Sequence, residues 1–396
     1  MSVDEPPGGL AAAFQEALAH GQALQSELRW EEAGHVFARA GALAIRGGAT
    51  DAARVAWGAA GEAFRRADRI VEASDALRVA LSQLPVPDAD RVVFQVRMTG
   101  CMVELGNGLG AIEVLDRMRA EATEPELKVL IADACFGTRL GFGPLKTAEL
   151  DALLADLEPN AWAHAFRSAQ KLRLEGKLNE ADDLLADLEM DLEEIAGAGA
   201  GRGGVQAERG EIAALQGDPE ATAHDWARAS EEHRDAGRFS LMWRAEAGRI
   251  RTLIDAGLDP LPGPAGTLED GLRWAAERKL VSLAIDLGLA WGIASRDRVR
   301  LEQVREQALQ FGLFRKAGRA ELARAGLLAG LARMEPLKEA ERHLQGDVPY
   351  TLRVRTLRAE TLAGVAHGAS SAEAAAIRPD LEAAGMAPEL ARIASL

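Results

Sequence analysis

Apolar positions in this chain recur at helical spacing, in pairs of segments joined by short polar turns. The stretch from Trp57 to Pro85 shows the pattern most fully. Trp57, Ala60, Gly61 and Phe64 share one face of a first segment, at steps of three, one and three. Ala73, Leu77 and Ala80 share one face of a second, and Pro85 stops it. This periodicity predicts two amphipathic helices. Small residues at Ala60, Gly61, Ala73 and Ala80 let them approach closely as an antiparallel hairpin, and Trp57, Phe64 and Leu77 fill what remains. One hairpin cannot bury its own apolar face, so neighbours must stack on it.

The pattern repeats upstream. Gly21, Ala33, Phe37 and Ala40 take the places of Gly61, Ala73, Leu77 and Ala80, and the first three pairs are offset by 40 residues (61−21, 73−33, 77−37). A third hairpin is predicted over RVVFQVRMTGCMVEL and GAIEVLDRMRA, with Ala111 and Leu115 in the Ala73 and Leu77 places. PELKVLIADACFGTRL and KTAELDALLADL give a fourth. A fifth opens at Asn160, a helix N-cap. GAGAGRGG at 197–204 reads as a flexible linker. It separates an N-terminal half over 11–196 from a more divergent half over 205–396, and residues 1–10 read as a disordered tail. A Pro/Gly loop is expected at 259–267, and APELARIASL reads as a short capping helix. About ten hairpins are expected in all.

Composition fits this reading. Ala, Leu, Arg and Glu dominate, which favours helix. A chain of 396 residues is too long for one compact core, and a repeat array is one way to use that length. The net charge of −15 argues against a general binder of nucleic acid or anionic membrane, whose affinity would rest on a positive field. Cys101 and Cys135 lie inside helical patterns and read as small buried apolar residues. The start MSVDEPPGG carries no basic n-region followed by an apolar run, and no window reaches the length of a membrane span. A cytoplasmic protein without membrane insertion is expected.

The spacing of Trp57, Gly61, Phe64, Ala73, Ala80 and Pro85 resembles the tetratricopeptide repeat, W-x2-L-G-x2-Y followed by A, F, A and P at fixed offsets. Ala60 and Leu77 depart from it. The resemblance is specific over 11–85, looser over 91–190 and architectural after 204. Irregular helix lengths resemble the divergent branch of that superfamily, which includes soluble attachment proteins of membrane fusion and bacterial peptide receptors. The resemblance implies an all-α, right-handed superhelical solenoid with a concave groove lined by first-helix side chains near the signature glycine. On the Gly21 register these are Gln22, Gln25 and Ser26. On the Gly61 register they are Glu62, Arg65 and Arg66. Arg97 and Glu104 follow in the third unit, and Arg167, Gln170 and Arg173 in the fifth. A net-acidic protein with five arginines towards one surface is suited to carboxylates, which the guanidinium fork matches. Each arginine alone also reads as an ordinary solvated or ion-paired helix residue. The Lys and Asn peptide clamp of better-known members is absent.

No constellation for catalysis emerges. Gly199, Gly201 and Gly204 form a literal G-x-G-x-x-G, but an acidic helix precedes it where a dinucleotide fingerprint needs a strand. His224 and His233 are nine residues apart, off the one-turn spacing of zinc helices, and read as surface residues. No nucleophile has an evident base. The expectation is therefore a non-enzymatic scaffold that binds a protein or peptide, acidic or carboxylate-bearing, with no metal, cofactor or nucleic acid. Homo-oligomers stay open. A ligand-responsive regulator acting through a separate effector is the second reading, and an enzyme with a helical-repeat body the third.

Overall fold

A computed structural model describes residues 9–83, 88–193, 195, 199–255 and 266–396. Pro85, residues 197–198 of the glycine run and residues 259–265 of the Pro/Gly loop lie outside the described residues. The regular elements among the described residues are 21 α-helices and one 3-10 turn. They form ten antiparallel hairpins and a last short helix.

The first five hairpins pair α1 (Gly9–Ser26) with α2 (Trp30–Arg46), α3 (Thr50–Arg66) with α4 (Ile70–Ser82), α5 (Asp88–Glu104) with α6 (Gly108–Glu121), α7 (Pro125–Gly141) with α8 (Thr147–Leu157), and α9 (Ala161–Leu174) with α10 (Leu178–Glu193). The second five pair α11 (Gly199–Gln216) with α12 (Pro219–Asp235), α13 (Phe239–Asp255) with α14 (Leu268–Glu277), α15 (Val281–Ala294) with α16 (Arg298–Gln310), α17 (Phe314–Gly326) with α18 (Met334–His343), and α19 (Val348–Ala363) with α20 (His367–Ala384). The chain closes on α21 (Ala387–Ile393). Most helices pack mainly on the next, although α13 lies chiefly against α12 and α15 and little on α14, and this is an all-α solenoid.

Glycine holes filled by large side chains set the packing. A Cβ on Gly61 would fall 2.6 Å from Leu77 Cγ, and one on Gly21 would fall 2.6 Å from the Phe37 ring. The expected register of the first two hairpins is therefore realised in contact. Trp57 and Phe64 behave differently from expectation. They lie against Gly41 and Gly34 of the preceding hairpin instead of inside their own. The first helix of a hairpin sits between its own partner and the second helix before it, so its large side chains stitch units together. Burying Phe64 contributes roughly 1.5–3 kcal/mol.

The glycine run is a second correction. Residues 199–204 are helical and open α11, so they are no linker. Glycine in a helix costs about 1 kcal/mol against alanine. Close packing offsets this: the His233 ring fills the space a Cβ on Gly203 would need, and the Trp226 ring does so at Gly210. His233 is thereby buried, not on the surface. Gly9 and Leu10, expected in a disordered tail, belong to α1.

The two halves are in contact along their length. Several first helices end in one left-handed residue: Leu28, Asp68, Gly106 and Gly176 have φ of 58°, 57°, 87° and 81°. These turns meet hairpins four or five units further on. Asp68 in the second hairpin accepts from Ser240 N and Ser240 Oγ in the seventh, at 2.9 and 2.6 Å. Arg315 Nη1 in the ninth donates to the Leu140 carbonyl in the fourth at 2.8 Å. Arg244 in the seventh pairs with Glu104 in the third at 2.6 Å. Tyr350 in the tenth donates to Glu211 in the sixth at 2.7 Å. One superhelical turn thus takes four to five hairpins, and the second turn stacks on the first.

Candidate functional site

Tight winding closes the concave face into an axial channel. Three cavities of about 260, 350 and 620 Å³ follow one another along it. Val103, Gly137 and Arg167 are shared by the first two, and Arg251 and Arg319 by the last two. First helices of the hairpins supply most of the lining, as repeat geometry demands. A separate open cavity of about 590 Å³ lies at α18 and α19, with mixed charge from Lys338, Glu341, Arg342, Arg355 and Asp380.

The residues anticipated from sequence divide into three groups. Gln22 is exposed and Gln25 half-buried on α1, and neither lines the three channel cavities. Glu62, Arg65, Arg66 and Arg97 cluster through ion pairs, and of the four Arg65 alone lines a channel cavity, the one at the end. Arg167, Gln170 and Arg173 come together in the middle of the channel.

At the end cluster one carboxylate serves three arginines. Glu62 accepts from Arg65 at 2.8 and 3.0 Å and from Arg66 at 2.8 Å, with Arg97 at 3.3 Å. Burial pushes the Glu62 carboxyl up, and these guanidiniums overcome it, pulling it down to about 2. Arg66 also stacks on Trp30, 4.7 Å from the ring centroid. A fourth guanidinium arrives from the second superhelical turn. Arg238, just before α13, lines the same cavity as Arg65 and makes no ion pair among the described residues. Its Nε is buried without a hydrogen-bond partner. Burial first, then the neighbouring Arg65, lowers its affinity for a proton, and Arg97 is lowered in the same direction by burial. Buried Asp68, its carboxyl pushed up by burial, is taken by Ser240.

In the middle the network is closely matched. Arg167 Nε donates to Asp133 at 2.8 Å and its Nη1 to Gln170. Arg173 Nε donates to Glu208 at 2.8 Å, while its Nη1 is buried and unpartnered. Glu211 accepts from Arg251 at 2.5 Å, Arg319 at 2.9 Å and the Tyr350 hydroxyl at 2.7 Å. Burial opposes ionisation of Glu211, but Arg251, Arg319 and Arg173 hold it well below the usual carboxylate range. Arg319 stacks on the Tyr350 ring at 4.1 Å.

Sequence reasoning missed Arg238, Arg244, Arg251 and Arg319. Arg244 and Arg251 are seven apart, two helical turns, and their shared face was a usable signal. Arg238 lies outside any helix and offered none.

Cys101 and Cys135 are buried, and burial pushes both thiols up to about 12. Among the described residues no three His, Cys, Asp or Glu side chains gather in a way that could hold a metal ion. No helix among them is long and apolar enough to cross a membrane.

No protein-family description matches this chain, and no curated protein does. Among solved structures, one similar chain is described as a circular tandem repeat protein with novel repeat topology and enhanced subunit contact surfaces. It is 15% identical, with 98% of this chain and 94% of that chain covered and a TM-score of 0.13. The helix-on-helix contacts above, not that likeness, carry the assignment of this chain as an all-α helical-repeat solenoid.

Proposed function

We propose that this chain is a non-enzymatic interaction scaffold, TPR-like in its hairpins, that takes an acidic or carboxylate-bearing segment of a partner protein inside its superhelix. The observation that carries the reading is the excess of guanidinium over carboxylate around Glu62, in a chain whose net charge is −15. Arginine offers a fixed fork to carboxylates, and such bonds gain strength where water is excluded. Cavities of about 260–620 Å³ have room for side chains of an extended segment and none for a folded domain.

A second reading keeps the same site and makes the protein a ligand-responsive regulator with a separate effector. It rests on the ion pairs that bridge superhelical turns, such as Arg244 with Glu104. A ligand competing for such an arginine changes how the turns are wound.

The test is a pull-down from native lysate read by mass spectrometry, followed by titration of the identified segment. Binding should weaken as salt rises, because exposed charges are screened within about 8 Å at physiological ionic strength. Arg65→Gln and Arg167→Gln should each weaken it. Unchanged affinity in both variants overturns the reading and moves attention to the convex face.

A further inference from the structure

Charge around the first cavity does not balance. Arg167 is matched by Asp133 and Arg244 by Glu104. That leaves Arg65 and Arg238 on the wall with Asp68, while Arg66 and Arg97 lie beside it on Glu62, which also takes Arg65. In and beside the cavity four cations therefore share two carboxylates, and Asp68 already accepts two hydrogen bonds from Ser240. Glu62 is saturated by three arginines. Arg238 has no acidic partner within ion-pair distance among the described residues, yet its Nε is buried. A guanidinium half-buried, with one nitrogen shut away from water and unpartnered, is costly, and a counter-ion is the simplest relief. The wall also offers the hydroxyls of Thr99 and Ser240.

We infer that this cavity is a subsite for one compact oxyanion carrying about two negative charges, a phosphate-type group or a pair of adjacent carboxylates, held between Arg65 of the first superhelical turn and Arg238 of the second, with Arg97 adding its charge from behind Arg65. The inference rests on the reading of the channel as the partner site, and it adds two things. It names Arg238 as a binding residue. It also makes the ligand a clamp between turns, because its two sides come from hairpins five units apart.

Inorganic phosphate and malonate serve as probes, with ionic strength held constant by chloride. Calorimetric titration of the full chain should show saturable binding of at least one, and the tighter probe tells phosphoryl from dicarboxylate. Arg238→Gln should weaken it about tenfold or more, the loss of one charge-assisted hydrogen bond. That variant removes no ion pair, so it should fold and melt like the parent. Arg97→Gln should act in the same direction, and Arg78→Gln, an exposed cation paired with Asp75, should do nothing. Hydrogen exchange should slow on both turns, near residues 62–68 and near 238–240. If neither probe binds saturably, or Arg238→Gln binds as the parent does, the subsite is lost. Protection confined to one turn overturns the clamp. If phosphate or malonate binds through Arg238 but the partner segment is insensitive to Arg65→Gln and Arg167→Gln, the subsite stands and the function reading falls. If the segment binds through Arg167 while both probes fail, the reverse holds.

Discussion

Glu62 and Glu211 hold comparable places, each on the inner side of a first helix, and each gathers arginines. Their surroundings differ in count and in exposure. Glu211 is 6% exposed and is enclosed by Arg251, Arg319 and the chain's single tyrosine. Glu62 is shared by Arg65, Arg66 and Arg97, whose side chains keep 28%, 42% and 34% of their exposure. A buried, matched network holds elements together, whereas a partly wet, unmatched one has capacity for a ligand. The same residue type at equivalent repeat positions thus serves packing in one place and offers binding in another.

The sharpest way to break this comparison is to neutralise each carboxylate. Glu211→Gln strands Arg251 and Arg319 in the interior and should cost ~3–5 kcal/mol in urea unfolding. Glu62→Gln strands guanidiniums that reach water and should cost less, ~1–3 kcal/mol. Equal losses would mean that the Glu62 cluster is as structural as the Glu211 hub.

Acid should probe the packing inside the sixth hairpin, where His233 seats on Gly203. Burial pushes His233 down to about 4 from an ordinary value near 6.5. The folded state then refuses a proton that the unfolded chain accepts. The associated stability is complete above pH ~6.5, declines as pH falls towards about 4, and changes no further below. The full loss is of order 3 kcal/mol. Melting across that window should show a slope that His233→Phe removes. Glu62, pulled down to about 2, loses its contribution lower, between pH ~4.5 and 2.

Gly61→Leu sharpens the packing side. Leu77 already occupies the space a side chain there would need, so overpacking should cost about 1–3 kcal/mol. A melting temperature equal to the parent's would unseat the register of the second hairpin. The smallest effect should come from Arg238→Gln, within about 0.5 kcal/mol of the parent, despite its loss of anion binding. A large destabilisation there would show that Arg238 supports the fold.

Periodicity made the hairpins legible. Helical spacing over Trp57–Phe64 and Ala73–Ala80, the Asn160 cap and the turns between segments are local signals, and local signals suffice for helices and their pairing with the next. The Gly61 register pointed Arg65 and Arg66 towards one surface, and a looser alignment of the third unit added Arg97; the structure clusters the three on Glu62. The run at 199–204 misled, because glycine content reports the backbone's intrinsic preference and not the ring that packs against it.

What only the tertiary structure decided is the winding. Each hairpin is rotated against its neighbour by the way side chains such as Phe64 and Trp57 seat in glycine holes. Over four to five units those rotations complete a turn, and no short stretch of sequence encodes the sum. Closure brings Ser240 to Asp68 and Arg238 to Arg65 across more than 170 residues. It turns an open groove into a channel and leaves some charges matched and others not. Helices and their inner faces follow from the sequence through periodic burial. Which inward charges meet, and which are left over, follows from the superhelix alone.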